Sequence, residues 1–243
     1  MDNKSLSVVI PAYNEEKRLL PTLERVHAFL SANYRDFEIL VVDDGSADAT
    51  VKVAGEFAAA HDRTRLLSNG RNMGKGAAIR KGVLESKGSM VLISDADLST
   101  PVEELEKLKT YIEEGYHVVA GSRALPGADV RVHQPFHREI MGRIFNLFVQ
   151  GLLVSGIKDT QCGFKLFTGP EARALFSKAI IDGFSFDAEI LFLARKSGLK
   201  IKETPVVWLN SAASTVRIAS DPAKMFLQLF KVRLNWLRGR YRA

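Results

Sequence analysis

The chain has 243 residues, 46% of them apolar, which is enough for one large α/β domain or two small ones, and no apolar run reaches the roughly 18 to 20 residues that cross a bilayer. One cysteine, Cys162, excludes an intrachain disulfide and a cysteine-cluster zinc site, and the N-terminus lacks a basic-then-apolar secretory signal, so a cytoplasmic protein is expected. Formal charge is +6, and residues 221–243 hold six Lys or Arg against one Asp, so the excess is concentrated in a basic tail that suits nucleic acid, an anionic membrane or water.

In chain order, LSVVIPAY reads as a strand and EEKRLLPTLERVHAFLSA as a helix with Leu19, Leu23, Val26 and Leu30 on one face. FEILVVDDGS is a second strand with its exit loop, and DATVKVAGEFAAAH a helix opening at an Asp cap. TRLLSN, KGAAIRKGVLESK and SMVLISDAD give strand, helix and strand; PVEELEKLKTYIEEG is a helix with Pro101 in its first turn, followed by the strand HVVAGSR. This alternation predicts a parallel sheet with crossover helices, whose ligands lie outside the carboxyl ends of the strands. The second half contains an apolar helix over about Glu139 to Val154, the stretch KDTQCGFKLF, helices at PEARALFSK and FSFDAEILFLARKSG, a strand IKETPVVWLN and the basic tail. No Gly, Pro or Ser-rich linker, repeat or low-complexity tract divides the chain, so one domain with two functional halves is expected.

Four polar clusters fall at predicted strand ends: PAYNEE (Pro11 to Glu16), DDGS (Asp43 to Ser46), NMGKGAAI (Asn72 to Ile79) and DADLS (Asp95 to Ser99). Asp95 and Asp97 repel each other unless a positive group sits beside them, and hard Mg²⁺ or Mn²⁺ suits carboxylate and phosphate oxygens. With a Gly-flanked lysine, Lys75, and an aromatic ring, the set fits a nucleoside diphosphate. Singly, each cluster is as readily structural: DDGS is an ordinary turn and Asp48 a helix cap. Two other phosphate-binding readings fail, because GRNMGKG is one residue short of a P-loop and ends in Gly76 instead of Ser or Thr, and no GxGxxG follows the first strand.

VVIPAYNEE, VVDDGSADAT, NMGKGAAI, DADLSTP, GSR and above all DTQCGFKLF resemble the inverting family-2 glycosyltransferases of GT-A fold, in particular the polyprenyl-phosphate sugar transferases and their dolichyl-phosphate β-glucosyltransferase branch, over roughly Leu6 to Asn210. The resemblance implies a Rossmann-like, mostly parallel sheet flanked by helices, a nucleotide-sugar donor (UDP or GDP), a polyprenyl-phosphate acceptor and Mg²⁺ or Mn²⁺. It implies a nucleotide-sugar half over about 1–122, an acceptor half over about 123–220 and a C-terminal helix over about 221–243. Pro11, Tyr13, Glu15 and Asp44 would hold the nucleoside; Lys75, Asp95 and Ala96 the ribose and diphosphate side; Asp97, with Asp95, the metal; Arg123 and Arg138 the acceptor phosphate. Asp159, Asp187 and Glu189 are further carboxylates, for which positioning roles are expected. Two departures stand out: Ser99 where relatives carry a metal-contacting Gln, and STVRI in place of an SKL-like loop, so that Thr215 replaces a lysine and Arg217 offers a substitute. A phosphate monoester is already ionised near neutral pH and attacks without a general base. The expected reaction is glucose transfer from UDP-glucose; the alternatives are GDP-mannose transfer, a soluble hydroxyl acceptor, or a non-catalytic nucleotide-sugar binder, the last weakened by the intact Asp95 and Asp97.

Cys162, Trp208 and Trp236 read as packed side chains. Two helices suggest a lipid surface. EIMGRIFNLFVQGLLV confines its polar residues to Glu139, Arg143, Asn146 and Gln150, and the tail confines Lys224, Gln228, Lys231, Asn235 and Arg238 to a stripe opposite Met225, Phe226, Leu229, Phe230, Trp236 and Leu237. Peripheral contact with the cytoplasmic face of an anionic membrane is the expectation, with packing against the domain as its rival and no nucleic acid.

Overall fold

The computed structural model describes residues 5–131, 136–209 and 221–241, and for 136–139 and 221–223 the backbone alone. The strands are β1 (Leu6–Ala12), β2 (Phe37–Asp43), β3 (Thr64–Ser68), β4 (Met90–Ile93), β5 (Val118–Ser122), β6 (Asp129–Val130), β7 (Lys165–Thr168), β8 (Ile201–Pro205) and β9 (Val207–Trp208). The helices are α1 (Leu19–Asn33), α2 (Thr50–Ala60), α3 (Lys75–Glu85), α4 (Leu105–Glu113), α5 (Phe136–Leu152), α6 (Gly169–Lys178), α7 (Phe186–Lys196) and α8 (Asp221–Leu237).

Among the described residues, seven strands form one sheet in the order β3-β2-β1-β4-β7-β5-β8, and β6 pairs with β9 in a separate two-stranded ladder. All neighbours in the large sheet are parallel except β7, which runs antiparallel between β4 and β5 with Val91 and Val118 both opposite Phe167. The strands are apolar at nearly every position because helices cover both faces. Val9, Val42, Val91 and Phe167 point to one layer with α3, α6 and α7; Val8, Ile10, Val41 and Leu166 point to the other, with Leu23 and Val26 of α1 and Leu105 and Leu108 of α4.

Three local differences from the sequence expectation have physical reasons. The first helix begins at Leu19 and not at Glu15: the amides of Glu15 and Glu16 are tied to Thr50 Oγ1 (2.7 Å) and Asp48 Oδ2 (3.2 Å) of the neighbouring loop, and the chain enters the helix through a turn in which the Glu15 carbonyl accepts the amides of Arg18 (3.0 Å) and Leu19 (2.9 Å). The end of DTQCGFKLF, Lys165 to Phe167, becomes β7 together with Thr168, a strand too short to betray its period. IKETPVVWLN divides after Pro205: Val206 still donates its amide to the Ser122 carbonyl of β5 (3.2 Å) but gives its own carbonyl to the Asp129 amide (3.3 Å), so the chain continues as β9 beside β6.

The polar stripes of α5 and α8 do not face water as a whole. Asn146 is buried: its Nδ2 donates to the Ile157 and Lys158 carbonyls (3.1 and 2.7 Å) and its Oδ1 accepts from Thr160 Oγ1 (2.9 Å). Asn235 is also buried, on the same side of α8 as Leu229 and Val232. Polar side chains that satisfy backbone groups in the core look, in sequence, like those that face solvent. Beside exposed cations, the two helices expose a large apolar strip: Leu147 is 66% exposed, Leu227 70% and Leu237 75%, with Ile144, Phe148, Phe230 and Leu234 beside them. The helices touch through Phe226, whose ring centroid lies 5.6 Å from that of Phe145 and 4.9 Å from that of Phe148. Among the described residues, no helix is long and apolar enough to cross a membrane.

Candidate active site

The carboxyl ends of β1, β2 and β4 and the N-terminus of α3 meet at one edge of the sheet. The β1 loop is stapled to the β2 loop by Asn14, which adopts the left-handed conformation (φ 55°), accepts from the Ala47 amide at 2.8 Å on its Oδ1 and donates its own amide to Ser46 Oγ at 2.9 Å. Pro11 and the half-exposed ring of Tyr13 line the rim of this loop. Glu15 binds Arg18 through two contacts of 2.7 Å, and Arg18 Nη1 lies 3.6 Å from Asp97 Oδ2. Burial pushes the Glu15 pKa up; Arg18 opposes the rise, and Asp97 and Asp95 add to it.

Asp44 is committed to the loop below: its oxygens accept from Asn69 Nδ2 (2.8 Å), the Met73 amide (3.0 Å) and the Gly74 amide (2.8 Å). It thereby fixes Gly74, whose φ of 105° is open to glycine alone, at the start of α3. The next residue, Lys75, reaches Asp95 Oδ1 at 2.5 Å. Burial alone would lower the Lys75 pKa, but Asp95 and Asp187 outweigh it and hold the ammonium above its usual range. For Asp95 burial works upward and Lys75 wins, so its carboxyl lies below the usual range.

Asp97 is oriented by its own loop. Its Oδ1 accepts from the Ser99 amide (3.0 Å) and hydroxyl (2.8 Å), so the short side chain that replaces the expected Gln serves to orient the carboxylate. Ala96 between them is buried, and its carbonyl accepts from Thr22 Oγ1 at 2.8 Å. Among the described residues, no three His, Cys, Asp or Glu side chains converge as a metal cage. Two hard carboxylates at one site still fit Mg²⁺ or Mn²⁺, because such ions are bound through one or two carboxylates with phosphate and water completing the shell.

The loop before β7 forms the opposite wall. At Gly163 an added Cβ would lie 2.6 Å from Asp95 Oδ1 and closer still to Oδ2, so the backbone of DTQCGFKLF is pressed directly against the carboxylate. Four residues earlier, Asp159 holds Arg123 of the β5 exit through Nε (2.7 Å), Nη2 (2.8 Å) and the Arg123 amide (2.9 Å). Burial raises the Asp159 pKa and Arg123 more than reverses it; for Arg123 burial is likewise outweighed by Asp159, so both stay charged. Trp208 lies under the guanidinium at 5.3 Å, a contact its reading as a plain core anchor does not include. Cys162 is buried and its thiol is pushed up to about 11, chiefly by burial, which leaves it a packed, unreactive side chain.

Lys165 and Arg18 escaped the sequence reading. Lys165 is a fully buried ammonium that pairs with Asp187 Oδ1 at 2.5 Å and donates to the Cys162 carbonyl. Burial drives the Asp187 pKa up beyond what Lys165 and Lys75 offset. The signal was a lysine between Phe164 and Leu166 in an apolar run, which a core tolerates only with a partner. Glu203 of β8 accepts the amides of Lys158 and Asp159 (2.9 and 2.7 Å) and so fixes the loop that aims Asp159. Arg138 lies in the first turn of α5, its side chain outside the described residues, as are Thr215 and Arg217.

Residues 7–170 match the family model described as Glycosyl transferase family 2. A dolichyl-phosphate beta-glucosyltransferase of Trichomonas vaginalis is 38% identical over 242 residues, 95% of this chain and 71% of that one. The Homo sapiens dolichyl-phosphate beta-glucosyltransferase is 34% identical over 252 residues, 98% of this chain and 78% of that one. Among solved structures, mannosyl-3-phosphoglycerate synthase from Rubrobacter xylanophilus matches with a TM-score of 0.70 at 22% identity, covering 99% of this chain and 76% of that one. Glucosyl-3-phosphoglycerate synthase from Mycobacterium tuberculosis, solved with Mn²⁺, UDP and glucosyl-3-phosphoglycerate, matches with a TM-score of 0.70 at 19% identity, covering 96% and 80%. At those identities the two structures speak to the fold, the GT-A architecture expected from the sequence.

Proposed function

The chain belongs to glycosyl transferase family 2, and on that premise we propose that it moves glucose from UDP-glucose to a dolichyl or other polyprenyl phosphate, with inversion at the anomeric carbon. One observation carries the reading: the DTQCGFKLF loop touches Asp95 through Gly163 and grips Arg123 through Asp159, so one short segment spans a metal-and-diphosphate wall and a cationic wall. The half over about 1–122 serves the donor, and the half over about 123–220 the acceptor.

In this reading the loops of Pro11, Tyr13 and Glu15 seat the nucleoside, Asp44 shapes the floor beneath it, and Lys75 faces the diphosphate. Asp97, with Asp95 beside it, would hold Mg²⁺ or Mn²⁺, whose charge supports the negative charge that builds on the departing diphosphate. An oxygen of the lipid phosphate attacks the anomeric carbon as the bond to UDP breaks, and no proton has to be removed. Arg123, already paired with Asp159 on two nitrogens, offers its remaining N–H edge to that phosphate, and Arg138 is a second candidate. Asp159 and Asp187, each spent on a cation, act as positioning groups. Arg123→Ala is expected to raise the KM for the acceptor about tenfold or more while donor affinity stays within about twofold. Calorimetry with UDP-glucose beside acceptor-dependent kinetics checks it; parallel loss of donor binding would move Arg123 to the donor side.

The lipid acceptor requires a surface, and we assign it to the exposed apolar strip of α5 and α8, flanked by the exposed cations Lys224, Lys231 and Arg238, against the cytoplasmic face of an anionic membrane. Each cation near such a surface contributes about 1 kcal/mol, so replacing all three by Gln should weaken vesicle binding about a hundredfold, and high salt should mimic the change. Turnover of a short, water-soluble polyprenyl-phosphate analogue should persist. Equal co-sedimentation of wild type and triple variant with anionic vesicles at low salt would refute the membrane role.

A further inference from the structure

The end of α8 is tied to the donor wall by an unbroken chain of polar contacts. Tyr241, four residues beyond α8 and buried, donates its hydroxyl to Glu189 Oε1 at 2.6 Å. Glu189 is fully buried on α7 and makes no contact with the donor groups; its carboxylate accepts the amides of Ile180 (3.1 Å) and Ile181 (2.9 Å). The next residue in that loop, Asp182, receives the Ala77 amide on its carbonyl at 3.2 Å and pairs with Arg80 at 2.7 Å through its carboxylate. Contact between this loop and α3 leaves no slack: a Cβ at Gly76 would lie 2.5 Å from the Ile181 carbonyl oxygen, and one at Gly74 would collide with that of Asp182. Lys75, which reaches Asp95, sits between those two glycines.

We infer that Tyr241 and Glu189 are positioning residues for the donor site: together they hold the 179–183 loop in place, and the loop sets where the N-terminus of α3 presents Lys75. A buried carboxylate accepting two consecutive amides and one phenol fixes a turn that packs directly on the first turn of α3. Two residues beyond the loop, at the N-cap of α7, Ser185 Oγ donates to the Met225 carbonyl of α8 at 3.3 Å. The seating of α8 is thereby felt at the diphosphate side and not at Arg123, which hangs on a different loop. The inference rests on the proposed donor role of Lys75 and Asp95.

The test uses the full chain with Tyr241→Phe and Glu189→Gln, which keep shape, and Glu189→Ala, which does not. Calorimetry with UDP and Mn²⁺ should show affinity about three- to tenfold weaker for Tyr241→Phe, milder loss for Glu189→Gln, whose amide oxygen still accepts, and the largest loss for Glu189→Ala. Acceptor KM should stay put, and hydrogen exchange should quicken at the amides of Gly76 to Ala78. Wild-type UDP affinity and unchanged exchange in Tyr241→Phe, whatever its melting temperature, would overturn the inference and leave the donor assignment standing. Failure of the wild type itself to bind UDP would overturn both.

Discussion

Asp97→Asn is expected to cut turnover about a hundredfold or more while leaving the fold unchanged. The fold survives because asparagine keeps an oxygen where Asp97 Oδ1 accepts the Ser99 amide and hydroxyl, so the loop retains its two local bonds. Turnover falls because the neutral amide is a poor ligand for a hard divalent ion, and no third acidic or imidazole group converges among the described residues to replace it. Glu15 does not take over, since both of its oxygens are held by Arg18. Turnover of UDP-glucose at saturating Mn²⁺, with circular dichroism as the folding control, decides the matter. Activity near that of the wild type would end the metal-assisted reading.

Gly163→Ala should be nearly as damaging with a smaller chemical change. The added methyl group overlaps the Asp95 carboxylate, which has to swing away and release Lys75. The Lys75–Asp95 pair is partly exposed, so its loss costs stability about 1 kcal/mol or less and the melting temperature should move only a few degrees. Catalysis loses both the carboxylate and the placement of the ammonium, so a fall of about a hundredfold is expected. A thermal melt and a turnover assay on the same preparation check the pair of outcomes. Wild-type turnover at an unchanged melting temperature would mean that the contact between DTQCGFKLF and Asp95 has no bearing on the chemistry.

The alternating half of the chain was legible because each strand there is continuous, apolar and bounded by a polar cluster, and the parallel arrangement follows from the crossover helices. The polar cluster at the sheet edge was legible for the same reason: Asp95, Asp97 and Lys75 stand at strand or helix ends, where local sequence shows them. Partners chosen across long separations were not. That Asp159 would grip Arg123, Lys165 meet Asp187, or Tyr241 reach Glu189 depends on which loops the fold brings together, and no local period encodes it. The amphipathic helices were read in part. Lys224, Lys231 and Arg238 are exposed as the stripe implies, and so are Phe230 and Leu237 of the apolar side, but Asn146 and Asn235 of the same polar stripes turn inward.

The antiparallel strand β7 also governs the order in which the chain can assemble. A ribosome-bound chain of about the first 122 residues already holds β1 to β5, and β1, β2, β3 and β4 pair with one another within it. The flanks of β4 and β5 that face each other across β7 find no partner until Lys165 to Thr168 emerge, and nothing nearer in the chain substitutes for them. Unpaired strand flanks are templates for association with other chains, and pairings that wait on distant residues form slowly. Between the synthesis of residue 122 and that of residue 168 both of these flanks are therefore open to association with other chains, and the far flank of β5 stays open until β8 follows.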